Sequence, residues 1–194
     1  EAVQCAKTLF NARKVGHTGS LDPLATGVLP LCFGEATKFS RFLLTSDKKY
    51  RARLRLGIRT ASGDADSDIV EERSTKGVTL DRIQNALGSF RGEIDQVPSM
   101  YSAIKHRGKP LYKYARQGVE VERESRRITV YSIELLTFSG SEITLEVHSS
   151  KGTYVRTIAD DLGEQLGCGA HVVELRRLMA GPFTESDSVT FDEI

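Results

Sequence analysis

The sequence predicts an α+β fold built on a mixed, mostly antiparallel central sheet flanked by helices and loops. Three observations lead there. Tyr50 to Ile58 alternates apolar and basic residues with period two. Two further strand-like runs, Ile128 to Phe138 and Ile143 to His148, are joined by Ser139-Gly140-Ser141, a plausible hairpin turn. Helical stripes are interspersed with these runs, without the regular strand–helix–strand rhythm of a parallel sheet.

Taken in order, Val3, Ala6, Leu9 and Phe10 form a short helical stripe ending near Lys14. Residues 16–27 read Gly-His-Thr-Gly-Ser-Leu-Asp-Pro-Leu-Ala-Thr-Gly, with three glycines and a proline around one carboxylate, Asp22. Glycine loses much backbone entropy in helix or strand, and Pro23 has no N–H to donate, so this run reads as a shaped loop and not a regular element. Val28 to Phe33 is a compact apolar run, compatible with a strand or a buried turn of helix. Ala36 to Leu44 reads as a helix with Phe39, Phe42 and Leu43 on one side.

In the Tyr50–Ile58 strand, Tyr50, Ala52, Leu54, Leu56 and Ile58 share the apolar face, and Arg51, Arg53 and Arg55 the wet one. Gly63 to Asp68 reads as an acidic loop. Thr79 caps a helix running through Phe90, with Leu80, Ile83 and Leu87 on its buried stripe. Pro110 opens and Gly118 closes a short helix, Leu111 to Gln117, that mixes Tyr112 and Tyr114 with Lys113 and Arg116. Thr153 to Leu166 is an amphipathic helix ended by Gly167, and His171 to Leu178 is the last strand.

The 194 residues read as one domain, 1–194. No apolar run of about 18 residues crosses a membrane, and no signal peptide opens the chain. Three widely spaced cysteines, Cys5, Cys32 and Cys168, argue against a disulfide framework and fit a reducing, cytoplasmic location. No metal-ligand spacing and no phosphate-binding glycine motif is present. The net charge of +1 conceals two basic blocks: eight Lys/Arg against two acids from Glu35 to Arg59, and eight against three from Ala103 to Arg127. Such blocks on a nearly neutral chain point to a localised anion-binding surface, with nucleic acid the leading partner and plain solvated faces the alternative.

An isolated Asp-Pro is ordinarily a turn former or a cap. Here the glycine density of the loop is joined by a second unusual cluster, Ser149-Ser150-Lys151-Gly152-Thr153-Tyr154-Val155-Arg156, between a strand and a helix. Free N–H groups at such a helix start favour an anion. For Arg156 the plainer reading is an i,i+4 pair with Asp160, and for Tyr154 a half-buried aromatic.

These segments, with Gly-Glu-Ala-Thr-Lys-Phe at 34–39, Asp-Lys-Lys-Tyr at 47–50, Pro-Ser-Met-Tyr-Ser-Ala at 98–103, Ser-Lys-Gly-Thr-Tyr-Val-Arg-Thr at 150–157 and Leu-Gly-Cys-Gly-Ala-His at 166–171, resemble the bacterial TruB-type tRNA pseudouridine synthases over essentially the whole chain. The resemblance implies the pseudouridine synthase fold. It also implies isomerisation of the T-loop uridine numbered 55, by cleavage of its C–N glycosidic bond and formation of a C–C bond through C5. No cofactor or metal is implied. Asp22 is then the nucleophile. Attack at the sugar C1′, attack at a base carbon and a glycal-like elimination all remain open.

By the same resemblance Arg156 partners Asp22, which must act as a charged group. Tyr50 stacks on the uracil and moves a proton, Tyr154 contacts the target nucleotide, and Leu175 forms an apolar wall that its sequence alone would assign to the core. His17 enters the space the flipped base leaves. Lys38, Arg51 and Arg116 are expected to meet RNA phosphates. The implied partner is the T-stem-loop of tRNA, with a monomeric protein and no protein partner required. The family's opening strand with its Lys-Pro-x-Gly-x-Ser stretch, and its small C-terminal RNA-binding domain, are expected to be missing from this chain. Two rivals stand beside this reading: a non-catalytic tRNA-binding and remodelling module, and a hydrolase with an aspartate nucleophile, which would need a water-activating base close to Asp22.

Overall fold

The computed structural model describes residues 2–194. Its centre is a seven-stranded sheet. Six strands lie in the order β13-β12-β4-β11-β10-β7, and the short β2 pairs with β12. These are β2 (Ala25–Gly27), β4 (Lys48–Leu56), β7 (Gly92–Gln96), β10 (Arg126–Ser139), β11 (Glu142–Ser149), β12 (Ala170–Ala180) and β13 (Phe183–Thr184). The β2–β12 pairing is parallel and every other pairing in the sheet is antiparallel. The fold is therefore the mixed, mostly antiparallel class that the residue patterns predict.

Three small pairings sit around it. β1 (Val15–His17) pairs with β3 (Leu31–Phe33), β5 (Ile58–Thr60) with β6 (Ile69–Glu72), and β8 (Lys105–His106) with β9 (Lys109–Pro110). The helices are α1 (Ala2–Leu9), α2 (Ser40–Leu44), α3 (Leu80–Gly88), α4 (Leu111–Ala115) and α5 (Val155–Leu166). No described helix is long and apolar enough to cross a membrane.

The period-two alternation of β4 decides the two faces of the sheet. Ala52, Leu54 and Leu56 point to one side and lie in a core shared with Ile83 and Leu87 of α3 and with Ile158, Ala159 and Leu162 of α5. Across the ladder Ala52 faces Leu145 and Leu175, and Leu54 faces Ile143 and Val172. Gly163 lets α5 press against the start of β12: a Cβ there would lie 2.2 Å from the Ala170 amide nitrogen. Thr79 caps α3 by accepting the Arg82 N–H at 3.3 Å, as expected, although Leu80 is exposed.

The other face is a lattice of charge. Arg51 meets Glu146 at 3.0 Å, Arg53 meets Glu142 at 2.8 Å and also Glu174, and Arg55 meets Glu142 at 3.4 Å. The arginine ladder is thus largely neutralised by its neighbouring strands. Hydrogen bonds from basic side chains hold the Glu142 and Glu146 carboxyls below the ordinary glutamate value; Arg53 acts most on Glu142 and Lys49 most on Glu146. A lowered native value means that the unfolded chain binds more protons, so the stabilisation is fully present above the unfolded glutamate value of about 4.3 and is lost as pH falls through the native one. Glu142→Gln should therefore lower the urea midpoint slightly at neutral pH and leave it unchanged near about pH 3. An equal loss at both would show that the pairing is not the cause.

Two stretches depart from their sequence patterns. Residues 36–44 do not form one helix: a 3-10 turn over Gly34–Phe39 leads into the short α2. Thr37 donates its hydroxyl to Gly34 O at 2.7 Å, and Ser40 donates to Thr37 O at 2.8 Å, which favours the tighter turn. Phe39 and Phe42 stack on each other in solvent and not in the core. The second departure is the 16–27 run, which contributes β1 at one end and β2 at the other. Gly27 explains β2. It lies so close to β12 that a Cβ would sit 2.2 Å from Arg177 O, at a φ of +98°.

Candidate active site

Asp22 sits in the turn just before β2. Its carbonyl accepts the Ala25 N–H at 2.9 Å, which closes the Asp-Pro turn. The β2 ladder then fixes this turn against Leu175, Arg176 and Arg177 of β12. Arg156 comes from a separate element, the first turn of α5. The two side chains meet: Arg156 Nε donates to Asp22 Oδ2 at 2.9 Å and Nη2 donates to Oδ1 at 3.0 Å. This is the two-point grip that a planar guanidinium makes on a carboxylate.

Arg156 has little freedom. Its side chain is 5% exposed against 32% for Asp22. Nη1 donates to Ser62 O at 3.0 Å and lies 3.5 Å from Asp64 Oδ2; Nη2 also donates to Tyr101 O at 3.0 Å. Four of the five guanidinium N–H groups are hydrogen-bonded, and the Asp64 carboxylate lies near the fifth. Asp160, the i,i+4 candidate, pairs instead with Arg59 at 2.8 and 3.2 Å. A cavity of about 440 Å³ lies beyond Arg156, walled by Arg59, Ser62, Met100 and Arg123 among others; Asp22, Tyr50 and Tyr154 do not line it.

Tyr50 lies on the covered face of β4, opposite Val147 and Arg177. Burial pushes its hydroxyl above the ordinary tyrosine value, the Arg177 cation opposes that, and the Asp22 charge adds to the rise. The phenol is therefore protonated at neutral pH. Tyr154 is the residue that caps α5, two positions before Arg156. The buried Gln96 clamps its backbone, accepting the Tyr154 N–H at 2.8 Å and donating to Tyr154 O at 3.1 Å. Gln96→Leu would leave the Tyr154 N–H without its acceptor, while Tyr154 O still accepts from the Thr157 and Ile158 amides, at a cost of about 1–3 kcal/mol. Urea unfolding should register that loss, and an unchanged midpoint would show that the clamp carries no weight.

The remaining candidates are spread more widely. Leu175 is buried among core side chains next to Ala25 and Ala52. His17 is exposed on β1, with Nδ1 accepting the Gly19 N–H at 3.2 Å. Arg51 projects from the sheet face opposite Tyr50. Lys38 is exposed and paired with Glu35, and the Arg116 guanidinium lies 5.4 Å from the Tyr112 ring.

Several site residues escaped the sequence reading. Asp64, placed in an acidic loop, is buried; besides approaching Arg156 it accepts the Ser62 hydroxyl at 2.6 Å. Gln96 and Arg177 carried no sequence signal of their own. Among the described residues, no group of three or more His, Cys, Asp or Glu could hold a metal ion.

A buried guanidinium thus fixes a carboxylate in a turn, on a mixed sheet that also carries a half-buried tyrosine. The model for the TruB family pseudouridylate synthase N-terminal domain matches residues 7–155, and that for the tRNA pseudouridylate synthase B C-terminal domain matches 156–194. The chain belongs to the TruB family of pseudouridylate synthases. The boundary between the two matches falls between Val155 and Arg156, so the Asp22–Arg156 pair ties them together.

Similar proteins include tRNA pseudouridine synthase B of Tolumonas auensis, 56% identical over 100% of this chain and 60% of that protein. The Coxiella burnetii (strain Dugway 5J108-111) protein of the same name is 59% identical over 97% of this chain and 61% of its own length. The chain thus spans about 60% of the length of these curated relatives. Among solved structures, a chain of a Cbf5-Nop10-Gar1 complex matches with a TM-score of 0.73 and 34% identity, over 95% of this chain and 46% of that one. A chain of an H/ACA RNP bound to a substrate RNA containing 2′-deoxyuridine matches with a TM-score of 0.68 and 31% identity, over 95% and 44%.

Proposed function

We propose that this chain isomerises a uridine in the T-loop of tRNA, at position 55, to pseudouridine, with Asp22 as the nucleophile. The observation that carries the proposal is the two-point Arg156 grip on Asp22. It aims the carboxylate while leaving its side chain 32% exposed, enough for a flipped base or sugar to reach it. Family membership and the names of the relatives support the substrate class.

The reaction conserves every atom. The C–N glycosidic bond breaks with Asp22 assisting at the sugar or the base, the uracil turns, and C5 bonds to C1′. The C5 proton leaves and N1 gains one. Tyr50, protonated at neutral pH and half-buried, stacks on the uracil and takes part in that proton movement. Tyr154 and Leu175 bound the base, and His17 fills the gap it leaves in the RNA. Flipping the base costs a few kcal/mol. Aromatic stacking returns about 1–3 kcal/mol, and phosphate contacts by Lys38 and Arg116 add a salt-sensitive term; Arg51, paired with Glu146 on the sheet face away from Tyr50, is set aside from that role.

The test is to incubate the chain with an excess of T-stem-loop RNA and separate the nucleosides with mass analysis. More pseudouridine than protein is expected. Bound RNA without product would make the chain a binding module, and free uracil would make it a hydrolase.

A further inference from the structure

We propose that Arg177 is a positioning residue, a buried clamp that locks both ends of the Asp22 turn onto β12 opposite Tyr50. The proposal rests on the catalytic reading above for its consequence in turnover, but not for the clamp itself.

Arg177 is 1% exposed and stands among the largest fully buried side chains. No described acid forms an ion pair with it; its nearest partners are carbonyls of the Asp22 segment. Nε donates to Val28 O at 2.7 Å, on the C-terminal side of Asp22. Nη2 donates to Gly19 O at 3.2 Å, on the N-terminal side. Its own carbonyl accepts the Val28 N–H at 2.8 Å, and its backbone pairs with Gly27. One residue therefore holds residues 19 and 28 at once, with Asp22 in the span between them.

Burying a cation with no acid paired to it is costly, and an apolar residue would fill the same space at lower cost. What the guanidinium adds is reach in two directions from a planar, rigid fork. Its strand position adds a second function. Arg177 is the direct cross-strand partner of Tyr50, so the same side chain spaces the phenol relative to the Asp22 turn. A turn held at both ends needs little further ordering when substrate arrives.

Arg177→Lys keeps the charge but reaches one carbonyl at most. The variant should fold. Hydrogen exchange at the Thr18, Ala25 and Val28 amides should quicken about tenfold while the Leu54 and Leu145 amides stay as in the parent chain. Turnover should fall about thirtyfold with KM within about threefold, because geometry and not RNA affinity is lost. Arg177→Gln, which retains donors without charge, serves as the second variant and should show the same localised exchange. Unchanged exchange in the turn, equal acceleration in the core strands, a loss confined to KM, or failure of both variants to fold would each overturn the positioning role. If the parent chain makes no pseudouridine, the catalytic reading fails alone, and exchange still decides whether Arg177 holds the turn.

Discussion

Asp22→Ala is expected to cut pseudouridine formation by about four orders of magnitude or more while RNA binding stays within about threefold. The reasoning starts from charge. Asp22 is the carboxylate gripped at two points by Arg156, and an alanine offers nothing to attack a sugar or a base. On the proposed reading, phosphate contacts supply most of the RNA affinity, and a carboxylate such as Asp22 makes none of them. Stability should fall as well, because Arg156 is left with one acid, Asp64, at 3.5 Å. Breaking a fully buried pair costs about 3–5 kcal/mol. Here Asp22 is 32% exposed, so water can take its place, and about 1–2 kcal/mol is the expected loss. Nucleoside analysis, filter binding and urea unfolding on the same preparation check all three. A variant that binds RNA and still isomerises it would remove Asp22 from the chemistry.

The second large effect is expected at Arg156→Lys. Lysine has one ammonium in place of a planar fork, so it cannot donate to Asp22 at two points and also reach Ser62 O and Tyr101 O. The carboxylate then loses its fixed aim. A displacement of about 1 Å at a reacting group costs about a hundredfold in rate, and that is the expected fall in kcat. RNA affinity should change less, within about threefold, since the guanidinium lies behind the carboxylate and is nearly buried. Equal losses in kcat and in RNA affinity would mean that Arg156 serves binding.

Much of this was legible in the residues, and the reasons differ by element. The β4 ladder was readable because a nine-residue strand repeats its alternation often enough to stand out. The helix α5 and its Gly167 stop were equally clear. β2 could not be seen, because three residues carry no period and their pairing depends on a glycine flush against β12. The loop reading of 16–27 therefore missed the ladder that holds Asp22.

Arg177 was hidden for another reason. Irregular pairing between Val172 and Glu174 shifts the phase of β12, so that Leu175 and Arg177 turn inward while Glu174 and Arg176 turn out. Nothing in the run Glu-Leu-Arg-Arg-Leu distinguishes the two arginines. The arginines of β4 misled in the opposite sense. Their number read as a basic surface, yet the glutamates that offset them lie about 90 to 120 residues away in the chain, at positions 142, 146 and 174. The Asp22–Arg156 pair spans 134 residues. Family resemblance reached it where local pattern alone left Arg156 beside Asp160.

The most direct measurement is the single-turnover rate of Asp22→Asn with saturating T-stem-loop RNA. Asparagine keeps the shape and one acceptor for Arg156 but carries no charge, so folding and RNA binding are held nearly constant. A rate at least about a thousandfold below that of the unaltered chain is expected if the negative oxygen does the chemistry. A rate within about tenfold would contradict it, because a neutral amide would then serve as well as the carboxylate.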